Sequence, residues 1–191
     1  MSFILYNIVA ALWLAWGVYW FVAARHVKPA VQSEAAGTRA LRLFPLILCV
    51  ILFVSPRALL PYPLGLRWLP LSWSWYFLGV ALVVVGLALS AWARWHLGSN
   101  WSGVISLKQG HDLVRSGPYR LLRHPIYAGL LLAMLGSAIA WGDWRGVLAF
   151  ALAVVAIVPR IGAEDALMAK TFGETYLDYR RRTAAIVPFL I

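Results

Sequence analysis

Charged residues are scarce in this sequence, and acidic residues are the scarcest. Asp and Glu number 7 among 191 residues, Lys and Arg number 17, and the four types together make up 13% of the chain. Soluble domains are about a quarter charged and about half apolar, whereas 62% of this chain is hydrophobic. This composition excludes a soluble Rossmann enzyme and indicates an integral membrane protein. The net charge of +10 is then typical of cytoplasmic loops and of contacts with anionic lipid headgroups, and we expect no nucleic-acid partner.

The sequence also lacks the motifs of several enzyme classes. Cys49 is the only cysteine, which excludes a disulfide framework and a cysteine metal site. No G-x-G-x-x-G follows a strand, and neither G-x-x-x-x-G-K-[ST], G-x-S-x-G nor H-E-x-x-H occurs, so dinucleotide-binding, P-loop, hydrolase and zincin chemistry have no support. His96, His111 and His124 have no local metal-ligand spacing, and we expect no metal site.

Five apolar segments approach the length of about 20 residues that a helix needs to cross a bilayer. They are residues 2–24, 43 to about 61, 73–93, 126–142 and 146–159. The first lacks a basic segment ahead of it and is too long for a signal peptide, so we expect it to be retained. The last two are separated only by Asp143-Trp144-Arg145 and predict a tight helical hairpin.

The distribution of basic residues predicts the orientation of this all-α membrane fold. Fourteen of the 17 lie in residues 25–42, in residues 94–123 and after residue 159, and three lie in the loops on the opposite side. Because positive charge accumulates on the cytoplasmic side, we expect the N-terminus outside and the C-terminus in the cytoplasm. No linker divides the chain, which we interpret as one membrane domain with three helices in residues 1–93 and a distinct half in residues 94–191.

Polar residues that could carry chemistry lie in the second half. Proline is favoured in the first turn of a helix, so Arg123-His124-Pro125 predicts a helix that begins at Pro125 with His124 at its cap. Such an N-terminus suits a carboxylate or another anion, and Arg123 would reinforce that preference. The alternative is that Arg123 and His124 only mark the membrane interface.

Carboxylates follow the last apolar segment. Arg160 and Glu164 are an i, i+4 pair on one helix face. An acidic residue at a membrane boundary is energetically costly, so we expect Glu164 to have an ionic partner or a functional role. Phe172-Gly173 predicts a helix break, and residues 180–182, three arginines, are typical of an amphipathic helix lying on anionic headgroups.

Several blocks in residues 94–191 resemble the isoprenylcysteine carboxyl methyltransferase family and its bacterial relatives, within a superfamily that includes phospholipid methyltransferases. They are LGSNWSG from Leu97, HDLVRSGPY from His111, RHPIYAG from Arg123, Arg160, EDAL from Glu164, FGETY from Phe172, Tyr179 and VPF from Val187. Where this chain has Glu164-Asp165 the family often has two glutamates, which leaves the role of Asp165 open.

This resemblance implies a membrane enzyme that binds S-adenosylmethionine in a cytoplasmic pocket without a Rossmann domain. It implies cofactor contacts from His111, Leu113, Val114, Gly117, Tyr119, His124, Tyr127 and Glu164. Arg123, Arg160 and Glu164 are the candidate catalytic residues, with the arginines orienting substrate. The acceptor would be a lipid-like or amphiphilic molecule, and a bacterial inner membrane is the expected location. The resemblance leaves the oligomeric state open.

Two other functions remain open at this point. Membrane sterol reductases resemble the same C-terminal pocket and use NADPH, although they are usually longer than this chain. A small transporter subunit or membrane scaffold would have no cofactor at all.

Overall fold

The computed structural model describes residues 2–25, 30–33, 36–55, 59–101, 106–108 and 112–187. Six helices account for most of them: α1 (Ser2–Ala23), α2 (Ala36–Val54), α3 (Trp73–Leu97), α4 (Pro125–Trp141), α5 (Trp144–Phe172) and α6 (Glu174–Arg182). Two short strands that we had not predicted, β1 (Ala30–Ser33) and β2 (Ser106–Lys108), form an antiparallel pair. Single 3₁₀ turns lie at Gly98–Asn100 and Gly117–Arg120. The structure is thus mainly helical, as predicted, with one short strand pair in addition.

The second and fifth helices differ from the predicted segments in their bounds. We expected a helix over residues 43 to about 61, but α2 begins at Ala36, before Arg39 and Arg42, and ends at Val54, two residues before Pro56. We expected the fifth helix over residues 146–159 with ends extending into flanking residues, and α5 continues through Pro159 to Phe172. A proline inside a helix removes one hydrogen bond and can bend the helix without ending it.

The hairpin between α4 and α5 has the predicted form. Gly142 ends α4 in the left-handed region, with φ of 64°. Asp143 caps α5, and its carboxylate accepts a hydrogen bond from the Gly146 N–H at 3.3 Å. The predicted break is also present, because Gly173 ends α5 with φ of 53°.

Glycines bring α3 and α4 into backbone contact. Gly79 of α3 faces Gly136 of α4, and Gly86 of α3 faces Gly129 of α4. We call this line of contacts the glycine seam. A Cβ placed on Gly86 would lie 2.5 Å from both the Ala133 nitrogen and the Gly129 oxygen. No side chain fits there, so α3 and α4 pack closely along their length. The other helices pack around this pair, with α1 against α3, and α2 and α4 against α5.

Arg94 was counted as a loop charge, but it lies inside the protein, because α3 continues past residue 93 to Leu97. Its guanidinium donates to the Ala23 carbonyl at 2.6 Å and to the Gly98 carbonyl at 2.8 Å. It also lies 4.5 Å from the centre of the Trp101 ring. This buried cation joins the end of α1 to the end of α3.

Arg145 is a second buried charge, at the opposite end of the helices. Its guanidinium lies 3.1 Å from the Asp143 carboxylate and donates to the Ser55 carbonyl at 2.7 Å. Both side chains are almost fully buried, at 2% and 0% exposed. The pair therefore joins the hairpin to the end of α2.

Among the residues that the structure describes, two segments are long and apolar enough to cross a membrane, judged by length and composition. They are Trp73–Asn100 and Trp144–Phe172, each with a mean hydropathy of 2.1. The other long helices contain shorter apolar stretches, Ile8–Ala23, Leu43–Phe53 and Pro125–Trp141.

The glycine seam gives a prediction for stability. We expect Gly86→Ala to destabilise the protein by about 1–3 kcal/mol, because the added methyl group overpacks a backbone contact. Gly17→Ala is the matched control, since nothing lies within 4 Å of a Cβ there. Alanine is favoured over glycine inside a helix, so this control should be neutral or stabilising. Thermal unfolding in detergent measures both, and an unchanged midpoint for Gly86→Ala would contradict the close approach.

Candidate functional site

The site is centred on the N-terminus of α4, where His124 occupies the cap position and Pro125 the first turn, as predicted. The chain after α6 returns to this point. The backbone N–H of Arg123 donates to the Ala184 carbonyl at 2.8 Å, and that of His124 donates to the Ala185 carbonyl at 3.0 Å. The C-terminal segment therefore fixes the start of α4, and His124 is buried, with 8% of its surface exposed.

Two consecutive carboxylates of α5 face the His124 ring, because α5 continues beyond Pro159 and passes alongside the start of α4. His124 Nε2 lies 2.7 Å from Asp165 Oδ1. Nδ1 lies 3.6 Å from Glu164 Oε2, which is an ion-pair distance but longer than a hydrogen bond. Both nitrogens of one ring therefore face negatively charged groups.

Glu164 joins the remaining polar side chains of the cluster. The Tyr127 hydroxyl donates to Glu164 Oε1 at 2.6 Å, and Arg160 Nε donates to the same oxygen at 2.9 Å. The Arg160 guanidinium also lies 5.7 Å from the centre of the Tyr127 ring. Glu164 and Arg160 keep 24% and 19% of their side-chain surface exposed, so a ligand can reach them. We use the name Glu164 cluster for Tyr127, Arg160 and Glu164.

Arg123 points away from the Glu164 cluster. Its guanidinium lies 3.6 Å from Asp165 Oδ2 and donates to the carbonyls of Thr183 and Arg180, the latter at 2.9 Å. Arg123 is buried, with 9% of its surface exposed. The structure therefore brings together His124, Tyr127, Arg160 and Glu164, and it places Arg123 between Asp165 and the end of α6.

The turn at Gly117–Arg120 supplies the other predicted residues. Gly117 has φ of +58°, and a Cβ there would lie 2.7–2.9 Å from atoms of the His96 ring, so both conformation and space require glycine. Tyr119 is buried in a cluster with Ile126, against which Val114 and Tyr127 pack. This contact joins the turn to α4.

The remaining predicted cofactor residues differ in their placement. Leu113 is half-buried, and His111 lies outside the described residues. In the part of the chain that the structure describes, no group of three or more His, Cys, Asp or Glu side chains could hold a metal ion.

Sequence reasoning left Asp165 and Tyr176 without a role. The Tyr176 hydroxyl donates a hydrogen bond to Asp165 Oδ1, and the Tyr179 hydroxyl donates to the Tyr119 carbonyl at 2.7 Å. Both tyrosines are buried, at 2% and 7% exposed. The available signal was their i, i+3 spacing within a helix whose other residues are mostly charged, which places the two tyrosines on one face. α6 therefore docks on the protein through this tyrosine face.

Burial and charge act on the pKa of His124 in opposite directions. Burial lowers the pKa, whereas the hydrogen bond with Asp165 and the charges of Glu164 and Asp165 raise it, and the net result is a pKa above its ordinary value. Burial and the hydrogen bond to Asp165 raise the pKa of Tyr176, so its hydroxyl remains a donor. The surroundings of His124 thus favour an imidazolium between the carboxylates of Glu164 and Asp165.

Comparison with known sequences identifies methyltransferases. The family of phospholipid methyltransferases matches residues 74–175, just over half of the chain. Protein-S-isoprenylcysteine O-methyltransferase A of Arabidopsis thaliana is 31% identical over 115 residues, which cover 59% of this chain and 58% of that protein. The Mus musculus protein-S-isoprenylcysteine O-methyltransferase is 32% identical over 115 residues, 59% of this chain and 41% of that protein. The match thus spans 58% of one relative and 41% of the other. The predicted resemblance to this family is confirmed.

A solved structure has a similar fold. It is that of the eukaryotic intramembrane Ras methyltransferase isoprenylcysteine carboxyl methyltransferase, without a monobody. The TM-score is 0.56 at 20% sequence identity, and the alignment covers 82% of this chain and 54% of that chain. At this identity the likeness concerns the fold alone.

The position of Arg123 gives a prediction for stability. We expect Arg123→Met to destabilise the protein by about 3–5 kcal/mol, because Asp165 would lose a buried counter-charge and the Thr183 and Arg180 carbonyls would lose a donor. Arg182→Met is the control, because that side chain is 76% exposed and its ion pair with Asp178 should contribute little. Thermal unfolding and protease cleavage around α6 measure the effect. Equal stability of the two variants would show that Arg123 does not hold α6.

Proposed function

Because this chain belongs to the phospholipid methyltransferase family, we propose that it is an integral membrane enzyme that transfers a methyl group from S-adenosylmethionine to a hydrophobic or amphiphilic acceptor. The observation that carries the proposal is the Glu164 cluster beside His124. A partly exposed carboxylate, a tyrosine ring and two cationic side chains meet there within hydrogen-bond or ion-pair distance of one another.

This set of side chains suits the chemistry of S-adenosylmethionine. Its amino-acid end is zwitterionic, which matches Glu164 as the partner of an ammonium group and His124 as the partner of a carboxylate. The rings of Tyr127 and Tyr119 could hold a sulfonium by cation–π attraction. His111, Leu113, Val114 and Gly117 remain proposed contacts from the preceding segment.

S-adenosylmethionine supplies an activated methyl group, which an acceptor oxygen takes by in-line displacement as the methyl–sulfur bond breaks and a neutral thioether leaves. Alignment then provides much of the acceleration. We assign the orientation of an acceptor carboxylate chiefly to Arg160, whose planar guanidinium suits a carboxylate. Arg123 would act on the same site indirectly, since its guanidinium faces Asp165 and α6.

The acceptor class is inferred from the relatives and the surroundings. Both relatives described above are named as O-methyltransferases of S-isoprenylcysteine, an amphiphile with a carboxylate at its polar end. Arg160 and Glu164 lie on α5, whose outer surface carries exposed apolar side chains such as Val155 and Val158. An acceptor with an apolar tail could therefore reach Arg160 from the bilayer.

We further propose the membrane arrangement. α1 to α5 would span a bacterial inner membrane as one domain, with the N-terminus outside and the Glu164 cluster facing the cytoplasm. The excess of basic residues on one side of the five helices supports this orientation. Reporter fusions to the two termini and to the Asp143 turn test it.

The function is tested with purified protein in detergent. Binding of radiolabelled S-adenosylmethionine and of NADPH should be measured side by side, and we expect only the former. Binding of NADPH alone would favour a reductase, and binding of neither would favour a scaffold. A labelled methyl transfer screen against a membrane lipid extract, with mass identification of the product, would then name the acceptor.

The Glu164 cluster gives a prediction for cofactor binding. We expect Glu164→Ala to weaken S-adenosylmethionine binding by about a hundredfold or more, because a charge-assisted hydrogen bond and the partner of Arg160 are lost together. Glu174→Ala removes an exposed carboxylate from the start of α6 and should bind normally. Isothermal titration calorimetry measures both affinities. If Glu164→Ala bound as tightly as wild type, the proposed site would be wrong.

A further inference from the structure

We propose that Asp165 is a positioning residue, which holds the His124 ring through Nε2 so that Nδ1 is the nitrogen left to face a bound ligand. This inference rests on the proposed function, because the ligand meant is the carboxylate of S-adenosylmethionine or of its product S-adenosylhomocysteine.

The first observation is that Asp165 is fully engaged within the protein. Oδ1 lies 2.7 Å from His124 Nε2 and accepts a hydrogen bond from the Tyr176 hydroxyl. Oδ2 lies 3.6 Å from Arg123 Nε. The side chain is 10% exposed, against 24% for Glu164. Of the two adjacent carboxylates, Glu164 can thus meet a ligand, and Asp165 acts through its neighbours.

The second observation concerns the protons of the ring. A carboxylate held by Arg123 and Tyr176 can only accept hydrogen bonds, so the short contact with His124 requires a proton on Nε2. In the neutral ring Nδ1 would then be an acceptor, and it would repel a ligand carboxylate. In the imidazolium, Nδ1 also carries a proton and becomes a donor. Asp165 therefore sets both the direction of the ring and the protonation state that an anionic ligand requires.

Of the groups around the ring, the two carboxylates favour this state. Glu164 and Asp165 face it from α5, and the Tyr127 ring of α4 stacks on it at 5.8 Å between centroids. Arg123, the preceding residue, and Tyr176 of α6 both face Asp165. Since Glu164 and Asp165 together raise the pKa of His124 by more than burial lowers it, the ring loses its proton only as the pH rises through that raised value. Ligand affinity should fall over the same range.

Calorimetric binding of S-adenosylhomocysteine across pH 5.5–9 tests the proposal. In wild type we expect affinity to fall with a midpoint above 6.5, the ordinary pKa of histidine. Asp165→Asn should shift that midpoint down by about one unit or more, because a carboxylate within hydrogen-bond distance is lost. At a pH above both midpoints this corresponds to binding about tenfold weaker than wild type. Asp165→Glu retains the charge and should keep the wild-type midpoint.

The matched control is Asp178→Asn. Asp178 is a half-exposed carboxylate of α6 that pairs with Arg181 and Arg182, so its loss changes the net charge equally without touching His124. An equal shift in Asp165→Asn and Asp178→Asn, or no shift in Asp165→Asn, would overturn the proposal.

A second measurement needs no variant of Asp165. Histidine ¹⁵N spectra of the ligand-free protein, with the His124 signals assigned by His124→Asn, report the proton on each ring nitrogen. We expect both nitrogens protonated at pH 6.5 and Nε2 to keep its proton when the ring titrates. Loss of the Nε2 proton first, or a midpoint at or below 6.5, would refute the role of Asp165. Failure of wild type to bind S-adenosylhomocysteine at any pH would instead refute the proposed function. The spectra would still test whether Asp165 positions the His124 ring.

Discussion

The contacts of Asp165 hold together segments that are far apart in the sequence. A buried carboxylate is costly unless counter-charges and donors surround it, and Asp165 finds Arg123 and His124 before α4 and Tyr176 on α6. Arg123 in turn donates to carbonyls at the end of α6. One charge on α5 therefore contacts both α6 and the residues that precede α4. The position of Glu164, the preceding residue on α5, follows from that arrangement.

The same requirement explains the other buried charges. Arg94 joins α1 to α3 through main-chain carbonyls, and Arg145 joins the α4–α5 hairpin to the end of α2 through Asp143 and the Ser55 carbonyl. Each cation sits at a helix end, where carbonyl groups lack partners within the helix. The ends of the bundle are thus fixed by polar contacts, while its middle is apolar.

Much of the fold follows from the sequence, and the errors have a common origin. The apolar segments located all the long helices, and the Pro125 and Gly142 signals placed both ends of α4 to within a residue. That Pro159 does not end α5 could not be predicted, because local sequence does not reveal whether neighbouring helices support a bend. Arg94 and Arg145 were interpreted as loop charges, because burial of a cation depends on carbonyls supplied by distant segments.

Some features of the candidate site could likewise be predicted from the sequence, and others could not. The i, i+4 spacing of Arg160 and Glu164 already predicted their contact, and a helix start at His124 was visible in the residue types. The placement of Arg123 toward α6 depends on the returning C-terminal segment, which only tertiary structure reveals.

The glycine contacts between α3 and α4 also determine where a lipid chain could pass. Helices that meet backbone to backbone leave no crevice for a methylene chain, so the tail of the proposed acceptor would not pass between α3 and α4. Such close packing also resists movement of α3 relative to α4. A rearrangement that admits the proposed cofactor would therefore involve α6 and the turn before α4 more than these two helices.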